Sequence, residues 1–136
     1  MPTYPWTAKH FTPEEFACKD NCGLCNPDPK LVGDLDEFRE RYGEPVIITS
    51  GSRCAAHCVA IGDNIPPYRN VHQPAADGFT KAVDIACESD RMRFSLVEFF
   101  MCFQDYRRIE VTNKHVHVDL GAGKDIAQDV FIWNKV

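Results

Sequence analysis

Two of the five histidines, His115 and His117, stand on alternate positions of the segment His115-Val116-His117-Val118-Asp119. Side chains two residues apart on a strand point to the same face, so both imidazoles can reach one site, with Asp119 beside them. Another acid, Asp84, is flanked by apolar neighbours in Ala82-Val83-Asp84-Ile85. A carboxylate in such a strand needs a partner, because burying an unpaired charge is costly. A metal ion would serve, and so would an arginine. Hydrolytic zinc sites take three ligands from His, Asp, Glu or Cys and keep a position open. Ion pairs and surface histidines account for the same residues, so spacing alone leaves both readings standing.

The cysteines form a second group with chemical potential. There are seven, an odd number, so at least one thiol lies outside any set of intramolecular disulfides. Cys18, Cys22 and Cys25, with Cys54 and Cys58 far downstream, have a spacing that is only loosely that of a structural zinc site. Buried small residues and loop thiols are the simpler reading, with the thiols reduced. Cys87 and Cys102 lie in apolar stretches and are expected in the core. His10 is expected to be solvated, and His57 to lie on a helix surface or beside a ligand.

The elements that must position these residues can be read along the chain. Thr12-Pro13-Glu14-Glu15 opens a short helix with a capping box. A Cys/Gly/Asn/Pro-rich loop follows over 18–29. Asp28-Pro29 starts a longer helix in which Leu31, Leu35, Phe38 and Tyr42 form one apolar stripe, and Gly43 ends it. Val46-Ile47-Ile48-Thr49 reads as a buried strand that stops at Ser50-Gly51-Ser52-Arg53 and projects Arg53 from its end. Residues 54–62 suit a short helix, and 63–80 an ordered loop, which at that length suggests function. Ala82–Ala86 is a second strand. A helix capped by Ser89 or Asp90 spans roughly 91–104 and carries Phe94, Val97 and Met101, with Phe99-Phe100 in the core. Arg108–Thr112 and Val116–Leu120 form a hairpin, and 121–136 is a glycine-containing turn with a short terminal segment. This order predicts an α+β fold, a small antiparallel sheet flanked by helices, in a single domain over 1–136.

A net charge of −5 argues against a nucleic-acid binder. No apolar run is long enough for a membrane span, and the first residues lack the pattern of a secretory leader. A soluble monomer is expected.

The segment from Val46 to His57 carries Ser50-Gly51-Ser52-Arg53. With a later His, Ala82-Val83-Asp84-Ile85 and His115-Val116-His117-Val118-Asp119-Leu120, it resembles the D-Ala-D-Ala carboxypeptidase and L-Ala-D-Glu endopeptidase superfamily of zinc peptidases. The nearest likeness is to the small phage and bacterial "M-fifteen" C-terminal-type members. It extends over about residues 11–121, and Phe16-Ala17-Cys18 and the stretch from Phe38 to Pro45 also fit. The resemblance implies a hedgehog/DD-peptidase-like fold and Zn2+ held by His72, Asp84 and His117. It further implies that Arg53 binds a substrate carboxylate, a task suited to its planar fork, and that His115 assists proton transfer or stabilises an oxyanion. Tyr68 and Arg69, in the loop before His72, either border the substrate groove or belong to a simply solvated loop.

Two departures from the pattern stand out. The resemblance implies six residues between the first two ligands, whereas eleven separate His72 from Asp84. Strict spacing puts Asp77 in the histidine's place; an Asp-Gly-aromatic insertion after His72 restores the match, and loops absorb insertions cheaply. Lys114 occupies the position where many members carry an acid as general base, so His115 takes that role or an acid arrives from elsewhere. The implied activity is hydrolysis of a peptide bond in the peptidoglycan stem peptide, at the cell wall after release or from a phage particle. The alternative is a silent zinc-binding relative serving as a structural or wall-binding module.

Overall fold

The structure, a computed structural model, describes residues 2–135. A 3-10 turn at Pro13–Phe16 leads to helix α1 (Pro29–Tyr42), strand β1 (Ile48–Ser50) and helix α2 (Ala55–Ala60). Strand β2 (Ala82–Ala86) and helix α3 (Asp90–Val97) come next, the latter continued by a π-helical segment, Glu98–Phe103. Strands β3 (Arg108–Thr112), β4 (His115–Asp119) and β5 (Val130–Lys135) follow. The architecture is α+β, with a five-stranded sheet in the order β1-β2-β4-β3-β5.

Local chemistry accounts for most of these boundaries. Thr12 and Glu15 complete the expected capping box. The Asp28 carboxylate caps α1 by accepting from Lys30 N–H, and Gly43, at φ 77°, closes it in a left-handed conformation that glycine adopts without strain. Leu31, Leu35 and Phe38 of α1 meet Leu96, Phe99 and Phe100 over the inward residues Val83, Ile85, Ile109, Val111, Val116 and Val118 of the sheet. Those strand residues alternate with the polar ones, so the opposite face of the sheet is left for Asp84, His117 and their neighbours.

The sheet is mixed rather than purely antiparallel: β5 runs parallel to β3. After β4 the chain turns back at the Arg108 end, through Gly121 (φ 67°) and Gly123 (φ 76°), and pairs outside β3 instead of beside β4. Val130-Phe131-Ile132-Trp133 is apolar at every position, so no alternation marks it as a strand, and Phe131 and Trp133 stay about half exposed.

The helix after Ser89 also departs from expectation. Cys102, expected in the core, is exposed, as are Phe94 and Met101, and Arg93 turns inward beside Leu96. Its guanidinium donates to the carbonyls of Cys87, Thr112 and Asn113 and pairs with Asp90, tying α3 to the β3–β4 turn. The wider π turns keep Phe99 and Phe100 both inside and swing the next residues outward.

The 63–80 loop is fastened rather than loose. Its distal end is held by Asn26 Nδ2 donating to the Gly78 carbonyl (2.9 Å) and by buried Lys81, which pairs with Asp28 (2.7 Å) and Asp77 (2.5 Å). Among the described residues no helix is long and apolar enough to cross a membrane.

Candidate metal centre

Register places a polar row across four strands. Ser50 on β1 lies opposite Asp84 on β2, Asp84 opposite His117 on β4, and His117 opposite Glu110 on β3. Directly paired residues share a face, so these four side chains point to the same side. His72 reaches the row from the long loop. Its N–H donates to Asn70 Oδ1 (3.0 Å), and its carbonyl accepts from Arg53 N–H (2.8 Å). One potential ligand atom from each of His72, Asp84 and His117 lies within 4.8 Å of the other two.

The outer contacts fix how each imidazole is presented. His72 Nδ1 sits 2.8 Å from the Gly51 carbonyl, which can only accept, so Nδ1 carries a proton and Nε2 faces Asp84 at 3.5 Å. His117 Nε2 lies 2.7 Å from Asp119, and its Nδ1 lies 2.7 Å from Asp84. Asp119 is itself held by Arg108 Nε at 2.7 Å. An acceptor on the outer nitrogen of an imidazole is the usual means of orienting a metal-bound histidine.

The glycine that presents this carbonyl is forced by close approach. A Cβ on Gly51 would meet the Phe16 carbonyl oxygen at 2.6 Å, so the Ser-Gly-Ser corner packs directly on the 3-10 turn. Beyond it, Arg53 spreads its fork over Ser50 Oγ (2.9 Å), Asp63 (3.2 Å) and Asp84 (3.3 Å). Asp63 is oriented in turn by Asn70 Nδ2 (2.8 Å).

Charge is concentrated here. Burial works against the ionised form of Asp84, yet the hydrogen bond from His117 and the nearness of the His72 ring hold its carboxyl well below the usual range. Burial likewise opposes a charged His117, but Asp119 and Asp84 on either side lift it from 6.5 to about 9. Without a metal, the raised pKa favours the doubly protonated ring, whose Nδ1 proton lies between nitrogen and the Asp84 oxygen. Remove that proton and three acceptors, from His72, Asp84 and His117, converge on one point. The donor set suits a divalent cation of intermediate softness.

The row forms the floor of an open cleft of about 750 Å³. Arg53, Arg69 and Arg108 line it, as do His115 and Glu110. His115 Nδ1 contacts Thr112 Oγ1 at 3.2 Å. Tyr68 is 62 % exposed and is not among the lining residues. The structure brings His72 rather than Asp77 to Asp84; Asp77 is engaged by Lys81 instead. Glu110, which the sequence reading did not single out, enters the cleft. Period-two alternation in Arg108-Ile109-Glu110-Val111-Thr112 carries the signal, since it puts Arg108, Glu110 and Thr112 on one face.

A His-Asp-His triangle at the floor of an open cleft in an α+β fold is the arrangement of a metal-dependent hydrolase. The family model described as Peptidase M15 matches residues 9–119, and the chain belongs to that family of zinc peptidases. Comparison with curated proteins and with solved structures gives no match.

Proposed function

We propose that this chain hydrolyses a peptide bond in the stem peptide of bacterial peptidoglycan, with zinc held by His72, Asp84 and His117. The observation that carries the reading is the assignment of the outer imidazole nitrogens. With His72 Nδ1 committed to Gly51 and His117 Nε2 to Asp119, both inward nitrogens address the Asp84 carboxylate. A divalent cation bound there supplies positive charge that polarises a carbonyl and acidifies water.

The remaining work falls to the chain's own side chains. Glu110, directly across from His117, is placed to accept a proton and to pass it to the departing amine. It is the acid that arrives from outside the position held by Lys114. His115, two register pairs along β4 and on the same face, takes the part of a hydrogen-bond donor to the developing oxyanion. Arg53, Arg69 and Arg108 line the cleft, and their planar forks suit a substrate carboxylate, a group that stem peptides carry. Tyr68 stands on the neighbouring loop as an outer contact for a longer peptide. The enzyme acts as a monomer at the cell wall, reached after release or on a phage particle.

Purified peptidoglycan incubated with the zinc-loaded protein is expected to release D-Ala or to gain new amino termini, and His117→Ala is expected to do neither. Zinc bound at the triangle with no product formed would instead favour a silent wall-binding relative.

A further inference from the structure

Outside the cleft lining, a second set of ligand-type atoms converges. One potential ligand atom from each of Cys18, Asp20, Cys22 and Cys54 lies within 4.8 Å of all the others. Asp20 bridges the group: Cys18 Sγ is 3.1 Å from its Oδ1 and Cys54 Sγ 2.9 Å from its Oδ2. All seven cysteines are free thiols.

From this geometry we infer a second, structural metal site in which Cys18, Cys22 and Cys54, with Asp20, hold a thiophilic divalent cation, zinc by ligand class. Three sulfurs and one oxygen make the four-coordinate, closed set that such a cation takes when its role is structural. Binding displaces the three thiol protons to solvent and leaves the carboxylate ionised, so charge builds up on sulfur. Backbone groups already face it. Cys54 N–H points at Cys18 Sγ (3.4 Å), His57 N–H at Cys54 Sγ (3.3 Å) and Cys22 N–H at Asp20 Oδ1 (3.0 Å). The loop is bent to bring Cys18 and Cys22 together, with Asn21 at φ 61° and Gly23 at φ 88°. Cys25 takes no part in it; its thiol donates to the Pro13 carbonyl at 2.9 Å.

Its position gives the site a purpose. Cys54 directly follows Arg53, while Cys18 lies two residues after Phe16, whose carbonyl receives Ser52 N–H at 2.9 Å and against which Gly51 packs. A cation joining Cys18 and Cys22 to Cys54 clamps the N-terminal loop to the corner that presents the Gly51 carbonyl and Arg53. It therefore holds two of the contacts that orient His72 and Asp84.

The test is metal content of the full chain purified under reducing conditions, with Cys22→Ser, Cys54→Ser, Cys102→Ser and Asp84→Asn beside the wild type. Cys22 is exposed, so its replacement by serine leaves packing intact. Two zinc ions per chain are expected in the wild type and in Cys102→Ser, and one in Cys22→Ser, Cys54→Ser and Asp84→Asn. If the triangle takes no zinc, the wild type holds one ion and Cys22→Ser none, which keeps this site and overturns the other. Cobalt replacing zinc should give a thiolate-to-metal charge-transfer band, lost in Cys22→Ser and kept in Asp84→Asn. Unchanged zinc in both cysteine variants overturns the inference, as does a disulfide joining any two of Cys18, Cys22 and Cys54 in the isolated protein.

Discussion

The His72–Asp84–His117 triangle and the Cys18–Asp20–Cys22–Cys54 cluster both gather ligand atoms within 4.8 Å, but they are held in different ways. Asp84 and His117 sit on neighbouring central strands, and His72, Asp84 and His117 are all buried. Each has an outer partner: Gly51 for His72, Arg53 for Asp84, Asp119 for His117. The thiol cluster hangs from a loop and from the residue that caps a six-residue helix, and Cys22 is exposed. A pocket with two ligands on paired strands and a third on a fastened loop should exist before the metal arrives, and one hung from a partly exposed loop should be completed by it. The sharpest way to break this contrast is Asp84→Asn. The fold should persist, because the sheet register does not depend on the carboxylate's charge. Zinc at the triangle should be lost, and hydrolysis should fall by at least about 1,000-fold, on the scale of removing a principal source of transition-state charge stabilisation. Metal analysis alongside turnover on peptidoglycan reads both, and a variant that keeps its zinc would refute the ligand set.

The next effect distinguishes two side chains within the cleft. Glu110→Gln is expected to lower kcat by about 100-fold or more, the scale of a lost general base. Zinc content should stay unchanged. His115→Ala is expected to cost about 10-fold and likewise to leave zinc content unchanged. The opposite ranking would give the base to His115, one of the two options that the resemblance leaves open.

Much of this centre was legible from residue types. The alternation His115-Val116-His117-Val118-Asp119 does place the histidines on the face opposite the core, and Asp84 does need a partner, because it is buried on β2. His72 entered only through the resemblance, since a loop residue has no periodicity to announce its direction. Its position depends on Asn70, Arg53 and Gly51, contacts made 2 to 21 residues away. Glu110 was readable but overlooked, because a charged residue in a hairpin strand is ordinarily solvated. The parallel β5 and the inward Arg93 were not readable. A uniformly apolar tail carries no contrast between faces, and an arginine turns inward only when three carbonyls wait for it.

A third effect follows from His117 and separates metal-free from loaded protein. Between Asp119 and Asp84, its imidazole binds a proton in the folded chain up to about pH 9, against 6.5 for a free imidazole. The folded state thus holds more protons than the unfolded state across that window. The associated stability is fully present below pH 6.5 and is lost as pH rises through 9. For a buried group the loss is on the order of 3 kcal/mol. Chemical denaturation in chelator should show this decline between the two values. The zinc-loaded protein should not, because coordination at Nδ1 removes the proton in question. A flat profile in chelator would mean that His117 is neutral and that Asp84 draws its stabilisation from Arg53 and His72.

The smallest effect bears most directly on the comparison between a preformed and a completed site. Hydrogen exchange reports local opening, and its free energy depends on how many packed contacts must break. Amides of β2 and β4 lie in the ladder Ala82–Ala86 against His115–Asp119, above a buried apolar layer. Chelation should leave them protected, since strand pairing and core packing do not require the metal. In the thiol cluster, the Cys22 and Cys54 amides point at Asp20 and at Cys18 Sγ across a partly exposed loop. Without a cation to draw these acceptors together, such bonds open at little cost, so exchange should rise by about 10-fold at Cys22 and Cys54 and change less in β2 and β4. Serine at Cys22 should reproduce the chelated pattern at Cys54 without any chelator. Equal acceleration in both regions would show that the triangle, too, is assembled by its metal, and that the strands supply register but not a preformed pocket.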